Sequence, residues 1–193
     1  MNKISRRDAI KQASLAMGGV LSAPTVFGVL QGCTAKPELT WSPTLFNEDQ
    51  ARLVMEIAEG ILPKTDTPGA KELGVPKFIE DIVRLTYKED FQEAFVSGID
   101  QFEKECKEDA GGSFLDLDAK QRETYLNQKN DEVIKGTWEG PIPPFFRMIK
   151  ELTIVGYFTT EIGAREVLQY KLIPTRYDGC ISLEKAGGKT WAI

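Results

Sequence analysis

Apolar side chains recur at helical spacing in one stretch of this chain after another, and prolines or paired glycines cut each stretch short. Leu53, Val54, Ile57, Ile61 and Leu62 share one face of a helix, with Asn47-Glu48-Asp49-Gln50 offering an N-cap and first-turn acids and Pro63 stopping the run. Phe78, Ile79, Ile82, Val83 and Leu85 follow Pro76, which suits a first helical turn. Phe91, Phe95, Ile99 and Phe102 predict a third helix from about Asp90 to Asp109, ended by Gly111-Gly112. Asp118 opens a very polar fourth helix to about Lys135, anchored almost only by Tyr125, Leu126, Val133 and Ile134. It is expected to be mainly a solvated face, with Lys129 exposed on it. After the rigid Pro141–Pro144 linker, Phe145 to about Leu168 is the least polar part of the chain outside its N-terminus and is expected to be the central helix. The expected fold is all-α: an irregular bundle of about five helices, a structured loop over Lys64–Ala70, and an irregular tail beyond Tyr170 with at most a short hairpin.

The N-terminus reads differently. Ser5-Arg6-Arg7-Asp8-Ala9-Ile10-Lys11 places two arginines ahead of an apolar stretch from Ala13 to Leu30. Gly18, Gly19, Ser22, Pro24 and Gly28 keep that stretch less hydrophobic than a permanent membrane span, which needs about 20 strongly apolar residues. This order predicts a twin-arginine export signal. Leu30-Gln31-Gly32-Cys33 resembles a lipobox, so Cys33 is the expected lipidated residue, and two or more acyl chains hold a protein stably on a membrane. Residues 1–33 are read as signal, 34–44 as a proline-bearing tether and 45–193 as one helical domain, in a periplasmic, membrane-anchored lipoprotein. The signal carries a net charge of +3, so its removal takes the formal charge from -5 to -8. Such an acidic domain without a basic cluster argues against nucleic acid.

The twin-arginine route carries folded proteins, which raises the question of a cofactor. There is no histidine in the 193 residues, and Cys106 and Cys180 form no Cys-x-x-Cys pair. A haem-attachment motif, a histidine-bearing zinc site and a Ser/His or Cys/His nucleophile are thereby excluded, and an iron–sulfur cluster needs more thiolates. No dinucleotide or phosphate-cradling glycine loop is present either. The chain is expected to hold no cofactor or metal of its own.

Three segments, in order, carry a family resemblance: Gly60–Ala70 with Gly74-Val75-Pro76 and Phe78-Ile79; Gly156–Gly163; and Gln169-Tyr170, Pro174, Tyr177, Gly179 and Cys180. Together they resemble the gluconate 2-dehydrogenase subunit 3 family over essentially the whole domain. The resemblance implies a non-catalytic small subunit that pairs with a large FAD-dependent oxidoreductase of the glucose-methanol-choline type, and in some members with a separate cytochrome carrying haem c. It further implies that the small subunit's signal, read by the twin-arginine translocon through Arg6 and Arg7, exports the signal-less large subunit with it. Two alternatives stand beside it: a lipoprotein that binds a ligand, or a histidine-free hydrolase using acids such as Asp66 and Glu161.

On that resemblance, no residue is catalytic, and a partner is expected to dock on Thr65, Asp66, Thr67, Pro68 and Gly69, on Tyr157, Phe158 and Glu161, and on Tyr170, Pro174 and Tyr177. Bland readings remain open: the loop simply joins two helices, Asp66 caps its own helix, and Glu161 pairs with Arg147 or Arg165. Trp138, Trp191 and Phe145 are either core or interface aromatics. Cys106 and Cys180 either form a disulfide, as cysteines in an oxidising compartment often do, or leave a buried unpaired thiol, or Cys180 bonds the partner.

Overall fold

Residues 38–173 and 179–192 are described by a computed structural model. The expected roles of Arg6, Arg7, Cys33, Pro174 and Tyr177 lie outside the described residues. Within them, five α-helices form: α1 (Glu48–Ile61), α2 (Val75–Thr86), α3 (Glu89–Ala110), α4 (Ala119–Lys135) and α5 (Phe145–Phe158). A 3-10 turn at Phe114–Asp116 joins α3 to α4, and a π-turn at Gly163–Val167 follows α5. No strand forms among the described residues.

The helix boundaries follow local chemistry. Asn47 and Gln50 cap α1 reciprocally, each side chain accepting from the other's backbone amide at 2.9 and 3.1 Å. Asp118 and Gln121 repeat the arrangement at α4. Gly111 closes α3 in the left-handed conformation at φ 76°. α5 packs against each of the other four helices. It approaches α2 most closely at Gly156, where an added Cβ would lie 2.6 Å from the Phe78 ring. Phe102, on α3, lies within 6.3 Å centroid distance of Phe114, Tyr125, Phe145 and Phe146, and half-buried Phe145 packs against the core from its edge.

α5 stops at Phe158, short of the predicted Leu168. Thr159 and Thr160 turn their hydroxyls onto the Val155 and Tyr157 carbonyls at 2.9 and 2.7 Å, and Thr160 also accepts from the Gly163 amide at 3.0 Å. These local bonds compete with the helical ladder and start a new turn. Beyond it, Gln169 pins the C-terminal segment. Its backbone pairs with Thr190 and Ala192 at 2.9 and 2.8 Å, and its side-chain amide donates to the carbonyls of Ala186 and Lys189 at 2.7 and 2.6 Å. Among the described residues, the segment makes a single parallel bridge, between Gln169 and Trp191.

One further expectation changes. Lys129 is buried, because its ammonium reaches Glu105 and Glu132 at 2.9 and 3.0 Å, with Asp109 at 3.8 Å. Burial alone lowers its pKa, but the two hydrogen-bonded carboxylates outweigh burial and hold it above the ordinary lysine value. Of the readings left open for the cysteines, the buried unpaired thiol fits Cys106: Cys106 and Cys180 are both free, the first buried and the second exposed. Burial, with Glu103 and Asp109 nearby, pushes the Cys106 thiol up to about 11, which keeps it protonated and unreactive.

The folded chain extends upstream of the predicted start at Leu45, since Leu39 and Trp41 already pack on the core. Glu80 on α2 holds this stretch. One carboxylate oxygen accepts from the amides of Thr44, Leu45 and Phe46 at 2.7, 2.7 and 3.2 Å, and the other from the Trp41 indole at 2.6 Å. Burial raises the Glu80 pKa, but these four donors together bring it below the ordinary glutamate value. A depressed folded pKa contributes stability above the unfolded value, about 4.3, and that stability is lost as pH falls through the lower folded value. Glu80→Gln turns an amide NH2 toward one of these donors, and is expected to cost about 2 kcal/mol at neutral pH. Guanidinium unfolding should show that loss with a weakened acid dependence, and the amides of Leu45 and Phe46 should exchange faster. Unchanged stability would mean that the clamp contributes nothing.

Candidate functional site

The loop between α1 and α2 is built from both ends. Glu59, on the last turn of α1, accepts from the Lys64 amide at 3.1 Å and the Lys71 amide at 2.8 Å, so one side chain closes the loop at its two shoulders. Gly69 lies against that carboxylate, and an added Cβ would fall 2.3 Å from Oε1. The Ala70 amide donates back to the Leu62 carbonyl at 2.9 Å. Behind the loop, buried Glu56 receives Lys71 and, at 2.6 Å, Arg122 from α4, so one buried carboxylate faces two cations.

α5 supplies the third support. The Tyr157 hydroxyl donates to the Pro68 carbonyl at 3.0 Å and therefore accepts from the Thr67 hydroxyl, also at 3.0 Å. The expected partner residues Thr67, Pro68 and Gly69 are thus brought together with Tyr157, but in a different role. Tyr157 is buried, so it is a post holding the loop and cannot itself be a surface anchor. What the loop presents outward is Thr65 and Asp66. The Thr65 amide bonds the Thr67 carbonyl at 3.0 Å, and the exposed Asp66 caps nothing and has no partner among the described residues.

Glu161 pairs with Arg165 at 3.1 Å, both exposed, while Arg147 pairs with Glu151 at 2.9 Å and lies over Trp138, 4.3 Å from its centroid. Phe158 is half-buried, edge-on to Tyr157, and Tyr170 is exposed beneath Arg165. The arrangement can bind but offers no acid–base pair: Asp66 stands alone, and Glu161 is occupied by Arg165 in solvent.

Beyond Tyr170 several large apolar side chains lie in solvent among charged ones. Leu172 is 77% exposed, Ile173 71% and Leu183 60%, with Ile181 and Trp191 also exposed in the same C-terminal segment. On α5, Ile154 and Val155 point outward too. Reasoning from turn residues and aromatics selected Tyr170 here and missed these aliphatic side chains. Their position after the polar Gln169, on a segment without helical periodicity, was the available signal. It missed Glu59 as well, since an acid in a last helical turn opposes the helix dipole and calls for another purpose.

Tyr157→Phe is expected to preserve packing while leaving the Thr67 hydroxyl and Pro68 carbonyl without their partner, at a cost of about 1 kcal/mol. Hydrogen exchange at the Thr65 amide should quicken while amides in the middle of α1 and α5 keep their rates. Equal exchange at Thr65 in both proteins would contradict the supporting role of Tyr157.

Residues 48–175 match the model of the family described as gluconate 2-dehydrogenase subunit 3, a span that takes in the α1–α2 loop, all of α5 and Gln169. No curated protein and no solved structure matches the chain. With the family model covering most of the helical domain, and with the loop, its tyrosine post and the Gln169 pin all inside the matched span, the chain belongs to the gluconate 2-dehydrogenase subunit 3 family.

Proposed function

We propose that this chain is the non-catalytic small subunit of a dehydrogenase complex: it binds and stabilises a large FAD-dependent sugar or sugar-acid oxidoreductase and escorts it, already folded, to the periplasm. The family is named for a subunit of a gluconate 2-dehydrogenase, which supports association with further subunits. The observation that carries the reading is the set of large apolar side chains of the C-terminal segment, Leu172, Ile173, Ile181, Leu183 and Trp191, that lie open to solvent. Fully burying one such side chain is worth roughly 1.5–3 kcal/mol, so covering several of them is a substantial drive to associate. The Thr65-Asp66 tip adds an exposed carboxylate, without a partner among the described residues, for a basic group on the partner.

In this reading Arg6 and Arg7 are the address read by the translocon, and the FAD resides in the large subunit, which carries no signal of its own. Acylated Cys33 then tethers the complex to the membrane, and where the complex includes a c-type cytochrome it joins as a third subunit. The chain's own work is recognition and transport, with chemistry left to its partners.

Fractionation with an antibody to the large subunit tests this. In a strain lacking the chain, or carrying Arg6→Lys with Arg7→Lys, the large subunit is expected in the cytoplasm and dehydrogenase activity should vanish from the periplasm. Leu172→Ser with Ile173→Ser and Leu183→Ser should lower co-purification of the large subunit at least tenfold, whereas Asn127→Ala on the exposed face of α4 should not. Normal amounts of active large subunit in the periplasm of the deletion strain would end the proposal.

A further inference from the structure

A cleft of about 650 Å3 lies away from the loop and the C-terminal face, between α3, α4 and the segment that leads into α5. Its walls include Phe102, Val133, Trp138, Pro143 and Phe145, and its mouth includes Glu105, Lys129 and Glu132. The charges at this mouth are arranged asymmetrically. The Lys129 side chain is 9% exposed, whereas Glu105 is 37% and Glu132 50% exposed, with Asp109 also turned outward. Of the residues lining the cleft, two carboxylates, Glu105 and Glu132, share the one interior ammonium, so an approaching group meets a net negative rim with an apolar wall beside it. Trp138 is already fixed as part of that wall, since Arg147 covers its ring and is itself held by Glu151.

We propose that this cleft is a second docking site for the large subunit, taking from it an extended segment in which an apolar or aromatic side chain is followed by Lys or Arg. The apolar side chain enters against Trp138, Val133 and Phe145, and the basic group stops at the rim, between Glu105 and Glu132. The volume falls in the range of ~300–1,000 Å3 that holds a ligand-sized group, which suits one or two side chains. The charge order selects a cation, because an anionic segment would meet the carboxylates before reaching Lys129. The proposal rests on the reading of the chain as a subunit of a larger complex, but on residues separate from those that carry that reading.

The test uses the full complex isolated from membranes, with the affinity of purified large subunit for the full-length chain measured at low and high salt. Trp138→Ala is expected to weaken binding at least tenfold at both salt concentrations. Thr137→Lys, an exposed substitution that adds a cation beside the rim, should weaken it at least fivefold at low salt and much less at high salt. Circular dichroism matching the parent protein shows that neither variant acts through unfolding. Binding within twofold of the parent for both variants, with Leu172→Ser and Ile173→Ser still disruptive, would overturn the cleft proposal and leave the subunit reading intact. Failure of the parent chain itself to bind the large subunit would overturn both. Protection of Trp138 fluorescence by a small aromatic amine but not by the large subunit would assign the cleft to a small cation and likewise overturn the proposal.

Discussion

The close packing of α5 on the other four helices is the constraint on which the rest of the molecule depends. Gly156 lets α5 and α2 approach until the Phe78 ring takes the space a Cβ would need. That approach carries Tyr157, one residue on, to the loop carbonyl and hydroxyl it holds. Just past Tyr157 the Thr159 and Thr160 hydroxyls end α5, so the π-turn and Gln169 follow at once. A single apolar helix thereby holds the loop and leads into the C-terminal segment.

Buried charge does a complementary task. Glu80, Glu56 and Lys129 are each buried, and each is matched by several partners, so no buried side-chain polar atom among the described residues lacks a hydrogen bond. Glu80 ties the stretch before α1 to α2, Glu56 ties the loop to α4, and Lys129 ties α4 to α3. Removing one member of such a set costs far more than the set contributes against an apolar replacement, so these groups specify a unique arrangement more than they raise stability. The interior is thus settled by its own contacts, whereas the C-terminal segment leaves large aliphatic side chains in water. A chain able to satisfy its buried charges so fully has no internal reason to leave Leu172, Ile173 and Leu183 outside. Their exposure reads as a surface made for another molecule.

Much of this was legible in the sequence where the physics is local. The capping residues Asn47 and Asp118, the stop at Gly111 and the apolar stripes of α1 to α3 act within a few residues of themselves, and the helices begin and end close to where those residues direct. What failed depended on distant partners or on competition that hydrophobicity does not record. Lys129 looks like a solvated lysine on a polar helix until α3 brings Glu105 and Asp109 to it. Tyr157 looks like an interface aromatic until the loop, far away in sequence, covers it. The apolar content of α5 continues to Leu168, although the Thr159 and Thr160 hydroxyls end the helix at Phe158. The family-bearing residues Gly69 and Gln169 were visible as a pattern, but their purpose needed geometry: one leaves room for Glu59, the other pins the C-terminal segment.

The central claim is that the open apolar C-terminal segment is covered by another subunit. Hydrogen exchange read by mass spectrometry, on the chain alone and within the complex isolated from membranes, tests it most directly. The account predicts that amides in Tyr170–Ile173 and Ile181–Trp191 slow at least tenfold in the complex, while those on the exposed face of α4 around Asn127 keep their rates. Equal exchange of the C-terminal segment in the two states would contradict it.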